Sequence, residues 1–171
     1  VKDTPLEEGM RAIYDTSLGL STFVDIYRKL TQLQPADIQS LNLPQFISTI
    51  KTLYPEVGWH INLSGVTTVD TDHGMFRQVI TNIVKNAIEA EAHTIDISII
   101  NNGSSNADGH KNNIRLLISN DGQLISPEES REIFIPFFTT KETGQGIGLS
   151  LARQMMIACR GNLWLADRPV V

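Results

Sequence analysis

Three stretches of this chain step between apolar and polar residues with a period of two: Trp59, Ile61 and Leu63, then Ile95, Ile97 and Ile99, then Ile114, Leu116 and Ile118. That is the signature of strands with one buried face. Between the first and second lies a long helical run from Asp72, a good N-cap, to about Ala92. Leu41-Asn42-Leu43 is short enough for an edge strand, and Pro44 suits the first turn of a helix through Tyr54. Thr67 to Val69 reads as the partner of the Trp59 strand across a turn at Ser64-Gly65. Asn101 to Asn113, rich in Asn, Gly and Ser, reads as a hairpin connection. Further helices are expected over Pro127–Phe134 and Gly146–Ala158, with a last strand over Asn162–Leu165. Strands and helices mix without strict βαβ alternation, which predicts an α+β fold: a mixed sheet covered on one face by about three helices.

Ahead of this unit, Leu6 to Leu33 carries helical spacing, with Ile13, Ser17, Leu20, Val24 and Tyr27 on one face. About 28 residues at 1.5 Å each make a helix of about 40 Å, too long for a small layer to cover. It is expected to pack against another long helix, a plain helical linker being the alternative. Pro35 ends it, and Gln34-Pro35-Ala36-Asp37 marks a boundary between units 1–36 and 37–171.

The totals exclude several classes. A net charge of −5 gives no electrostatic case for nucleic acid. One cysteine, Cys159, rules out an internal disulfide and a multi-cysteine zinc site, and suits a reducing compartment. No apolar run approaches the roughly 18 residues needed to span a bilayer. Beginning at Val1, the chain reads as a piece of a longer protein, which leaves a membrane anchor elsewhere open.

Chemistry-bearing residues fall in four places. On the long helix, Asn82, Asn86 and Glu89 share a face, with Lys85 beside them. Two amides and a lysine suit a hydrated Mg²⁺ and a triphosphate, because magnesium keeps its waters and takes few protein oxygens. They equally suit a solvated surface. A strand then ends in Asn120-Asp121-Gly122, which is either a plain turn or a carboxamide and bare backbone offered to a base. Phe134, Phe137 and Phe138 form an aromatic cluster, followed by Thr139, Thr140 and Lys141. Last comes Gly144-Gln145-Gly146-Ile147-Gly148-Leu149, whose glycines let backbone amides approach an anion at the start of a helix. It matches neither the Rossmann nor the P-loop fingerprint.

In that order the four resemble the N, first glycine, F and second glycine boxes of the ATP-binding domain shared by gyrase, Hsp90, sensor histidine kinases and MutL. Ile133 to Leu149 looks particularly like a histidine kinase. The resemblance covers about Leu41 to Leu165 and implies a Bergerat-type two-layer α/β sandwich. It implies that Asn86 holds Mg²⁺, that Asn82 and Lys85 neighbour the phosphates, and that Gly122 lies near adenine. It further implies an ATP site completed by Phe134, Thr140, Lys141, Gly144, Gly146, Ile147, Gly148 and Leu149. The long first helix resembles the second helix of a dimerisation and phosphoacceptor hairpin. A homodimer through that hairpin and a response-regulator receiver domain are the implied partners.

Where the family has an aspartate for the adenine amino group stands Asn120, with Asp121 one place later; both registers are open. Leu124 replaces a common glycine, and five residues separate Phe138 from Gly144, a short lid that would suit weak nucleotide affinity or an open lid. ATP-hydrolysing members carry a glutamate base where this chain has Asn82, which takes no proton at neutral pH. That favours phosphoryl transfer to a histidine over hydrolysis. A non-catalytic nucleotide-binding or protein-interaction scaffold, or a serine-directed kinase of the anti-sigma type, are the alternatives. His60, His73, His93 and His110 sit in no acceptor motif, so no catalytic residue is expected in this piece and it should not phosphorylate itself.

Overall fold

The computed structural model describes residues 32–101, 114–141 and 144–166, together with Leu6 and residues 9–11, 13–14, 16–17, 20–21, 24 and 27–28. The chain divides into two compact units, Val1–Gln34 and Pro35–Val171. In the first, every described position between Leu6 and Arg28 is helical. Ile13, Leu20, Val24 and Tyr27, the apolar face of the sequence pattern, are exposed at 72%, 63%, 40% and 57%, so the unit does not bury that face within itself.

The second unit runs β1 (Gln39–Asn42), α1 (Leu43–Leu53), β2 (Gly58–Asn62), β3 (Thr68–Thr71), α2 (His73–Glu89), β4 (Thr94–Asn101), β5 (Ile114–Asn120) and α3 (Gly148–Ala158). Asn42 caps α1, its side-chain oxygen accepting from Gln45 N at 2.9 Å, and Pro44 occupies the first turn, where no amide is required. In the same way Asp72 Oδ1 accepts from Met75 N at 2.9 Å and starts α2. Its Oδ2 accepts from Asp37 N at 2.9 Å, tying the unit's first residues to that helix start.

β4 is the central strand of a three-stranded sheet, parallel to β2 and antiparallel to β5. Its Ile95, Ile97 and Ile99 are buried, and Ile97 faces Ile118 across the ladder. Against them pack Phe46, Ile47 and Ile50 of α1 and Phe76, Ile80, Val84 and Ala87 of α2, a single apolar cluster between helices and strands. α3 lies on α2, burying Leu151 and Ala152. The α+β expectation of a mixed sheet under about three helices holds.

Three local expectations do not. Thr68–Thr71 pairs with Gln39–Asn42 in a separate two-stranded sheet, not with β2. The turn at Ser64-Gly65 exists, with φ of +49° and +77°, but it sends the chain away from β2. Alternation fixes which face of a strand is buried; it leaves the neighbour undetermined. Over Pro127–Phe134 the chain makes a run of turns around a 3₁₀ segment at Glu129–Arg131 instead of a continuous helix. Nothing there is fully buried, so no packing offsets helix nucleation. Asn162–Leu165 forms no strand; instead Trp164 meets Arg115 of β5, with the guanidinium 6.0 Å from the ring centroid. The expected connection between β4 and β5 lies outside the described residues over 102–113.

Candidate functional site

The four motifs converge on α2. Its buried residues Phe76, Val79, Ile80, Val84 and Ala87 face inward and leave Asn82, Lys85, Asn86 and Glu89 on the outer side. Near the middle, Asn82 Nδ2 donates to the Gly148 carbonyl at 2.9 Å, joining α2 to the first residue of α3. Asn82 Oδ1 accepts from Gln78 Nε2 at 2.9 Å, so both ends of this amide are occupied. One turn on, Asn86 is half-buried, and no hydrogen bond to its side chain occurs among the described residues. Three residues further, Glu89 is ion-paired with Lys141. At the C-terminal end, Gln123 N donates to the Ala90 carbonyl at 2.8 Å, bringing the Asn120-Asp121-Gly122 turn against the helix end.

Gly122 is required there by contact: a Cβ would stand 2.5 Å from the Ala90 carbonyl oxygen. Asp121 Oδ1 accepts from both His93 N and Thr94 N at 2.8 Å, pinning the turn to the start of β4. The Thr94 amide foremost, then that of His93, holds this carboxyl below its ordinary value. Asn120 Oδ1 accepts from Gly122 N at 3.0 Å and points at the turn's own backbone. In this geometry Asp121 serves the backbone, while the Asn120 oxygen keeps room for a second donor.

Gly146 has φ of +65°, and its carbonyl accepts from Phe137 N at 2.8 Å; a Cβ would lie 2.5 Å from the Phe137 carbonyl carbon. Phe137 itself has φ of +70°, so the aromatic segment and the glycine loop are locked by mutual backbone contact. A Cβ on Gly144 would collide with Thr139 Oγ1. Gly148 differs, since the nearest atom to a Cβ there is Asn82 Cγ at 3.9 Å. The Ile147 side chain makes no cap hydrogen bond to α3, whose first amides begin beside Asn82. Phe134 is held by Arg153 of α3, the guanidinium 5.0 Å from the ring centroid. Ile147 and Leu149 flank Gly148 half-buried, and Lys85 is exposed.

Two carboxylates belong to this neighbourhood, Glu89 from the long-helix face and Glu129, which the sequence reading did not single out. Glu89 holds Lys141. Glu129 accepts from Ser126 N at 2.7 Å while Ser126 Oγ accepts from Glu129 N at 3.1 Å, a reciprocal box that the Ser-x-x-Glu spacing advertises. The Ser126 amide first, with the hydroxyls of Ser126 and Thr140, keeps the Glu129 carboxyl below its usual value. Among the described residues no three His, Cys, Asp or Glu side chains group around a common point. An ion here would have to be one that takes few protein oxygens, and among the described residues the Asn86 carboxamide oxygen accepts no hydrogen bond. His60 pairs with Asp96 on the sheet, while His110 lies outside the described residues.

Known proteins resemble this chain in sequence and fold. The sensor protein FixL of Bradyrhizobium diazoefficiens is 32% identical over 100 residues, covering 58% of this chain and 19% of that protein. The sensor protein kinase PilS of Pseudomonas aeruginosa is 25% identical over 171 aligned positions, covering 94% of this chain and 31% of that one. The nucleotide-free catalytic domain of histidine kinase ThkA superposes with a TM-score of 0.57 at 28% identity, over 72% of this chain and 82% of that domain. The chain therefore spans under a third of the length of these curated relatives and has the fold of a histidine kinase catalytic domain. A family model described as histidine kinase-, DNA gyrase B- and HSP90-like ATPase matches residues 71–170, and the chain belongs to that family.

Proposed function

We propose that residues 37–171 are the ATP-binding catalytic domain of a sensor histidine kinase and that residues 1–36 belong to its helical dimerisation region. The domain is a nucleotide-binding one by family. The observation that carries the finer reading is the convergence on α2, with Asn82 bonded to Gly148, Glu89 to Lys141 and Ala90 to Gln123 around an Asn86 side chain with no hydrogen bond among the described residues. Phosphates would lie between the Asn86 face, the start of α3 at Gly146-Ile147-Gly148-Leu149, and Thr140 and Lys141. Adenine would lie toward Asn120, with Asp121 bracing the turn and Gly122 set against α2. Phe134, fixed by Arg153, closes the aromatic side.

Mg²⁺, when bound, offsets phosphate charge, and Asn86 Oδ1 is the oxygen that would hold it. Asn82 stands where a water-activating base would be needed, yet its amide takes no proton and is hydrogen-bonded at both ends. The site can orient a γ-phosphoryl group for in-line attack without activating water, which suits transfer to a histidine nitrogen supplied from another helix. Relay to an aspartate of a receiver domain, and dimerisation through the exposed apolar face of the first unit, complete the proposal. A non-catalytic scaffold is favoured by one observation: the Asp121 carboxylate is already committed to two backbone amides. Asn86→Ala separates the two. Kinase function predicts at least a tenfold loss of Mg-dependent ATP binding in calorimetry with an unchanged melting temperature, together with loss of phosphotransfer in the longer protein, whereas function of the longer protein that survives Asn86→Ala would favour the scaffold.

A further inference from the structure

After the aromatic segment the chain reaches back to α2, where Lys141 is ion-paired with Glu89. Lys141 N also donates to Thr139 Oγ1 at 3.1 Å, so the backbone is fixed where the side chain departs. Glu89 follows Asn86 by three residues on one helix face, a separation of about 5–6 Å between Cβ atoms. A carboxylate that close to the proposed phosphate position opposes an anion, and Lys141 is the group that neutralises it.

We propose that Glu89 sets nucleotide affinity by occupying the Lys141 ammonium, which exchanges Glu89 for a phosphate oxygen when nucleotide binds. This rests on the assignment of the Asn86 face to the triphosphate. Glu89 is then a positioning residue whose cost to binding is built in. It opposes the phosphate charge directly and competes for the cation that would offset it. The Lys141 and Glu89 side chains are 38% and 53% exposed, so the pair is partly screened by water and its exchange is a modest effect.

Calorimetry with ATP and Mg²⁺ on the whole chain tests this. Glu89→Gln should bind about threefold to fivefold more tightly than wild type, a gain that shrinks at high salt. Lys141→Met, leaving Glu89 uncompensated, should bind about tenfold more weakly. The double variant should recover part of that loss, and Lys141→Arg should stay near wild type. A damaged fold would weaken binding in Glu89→Gln, so tightening has the opposite sign to a structural effect. If wild type binds ATP and Asn86→Ala does not, yet Glu89→Gln is unchanged or weaker, the exchange is wrong and the site assignment stands. If wild type does not bind ATP, the site assignment fails and takes the exchange with it.

Discussion

At Gly146 the backbone holds φ of +65° and a Cβ would stand 2.5 Å from the Phe137 carbonyl carbon, whereas two residues later a Cβ on Gly148 would make only an ordinary contact, 3.9 Å from Asn82 Cγ. These glycines answer to different constraints. Gly146→Ala should lose at least about 1–2 kcal/mol from the left-handed backbone alone, with further loss from the collision. Gly148→Ala, at the first residue of α3, should leave stability level or slightly raised. If phosphate lies against that residue, ATP affinity should nonetheless fall about tenfold or more. Thermal melts of the two variants, with ATP titrations of Gly148→Ala, separate a glycine that shapes the loop from one that admits a ligand. Equal melting losses would refute the distinction. The Gly-x-Gly-x-Gly spacing makes the three look equivalent; only the approach of the Phe137 and Phe138 backbone tells them apart.

Among the elements, α2 depends on its start. Asp72 accepts from Met75 N and from Asp37 N, and these amides hold its carboxyl below the ordinary 3.8. Asp72→Ala should cost about 1–2 kcal/mol, with Asp72→Asn retaining most of the cap. Asp72 and Asp121 both have depressed folded values. Their contribution is present above the unfolded pKa near 3.8 and is lost as pH falls through the lower folded values. Acid titration of the melting temperature should therefore fall away below about pH 4, and the double Asn variant should flatten that limb while lowering stability at neutral pH. An unchanged acid limb would show that neither carboxyl contributes. Asp72 is legible as an N-cap from its place before a helical run. The Asp121 bonds are not, because they join a turn to a strand start that lies more than twenty residues earlier in the chain.

For the whole molecule, phosphoryl transfer needs an acceptor, and none of the four histidines precedes His60 or sits on the first helical unit. The chain alone should bind ATP yet take up no radiolabel from it, and acid-labile label on the isolated chain would overturn that expectation. Residue type and spacing were sufficient for the α+β class, the cap at Asp72, the buried face of β4 and the order of the four boxes, since periodicity and cap chemistry are local properties. The pairing of Thr68–Thr71 with β1, the collapse of the expected 127–134 helix to turns around a 3₁₀ segment, and the Glu89–Lys141 and Asn82–Gly148 contacts were not readable in advance. Each depends on which segments become neighbours once the apolar faces are buried. Short-range pattern says what a segment buries, while long-range packing chooses what it touches.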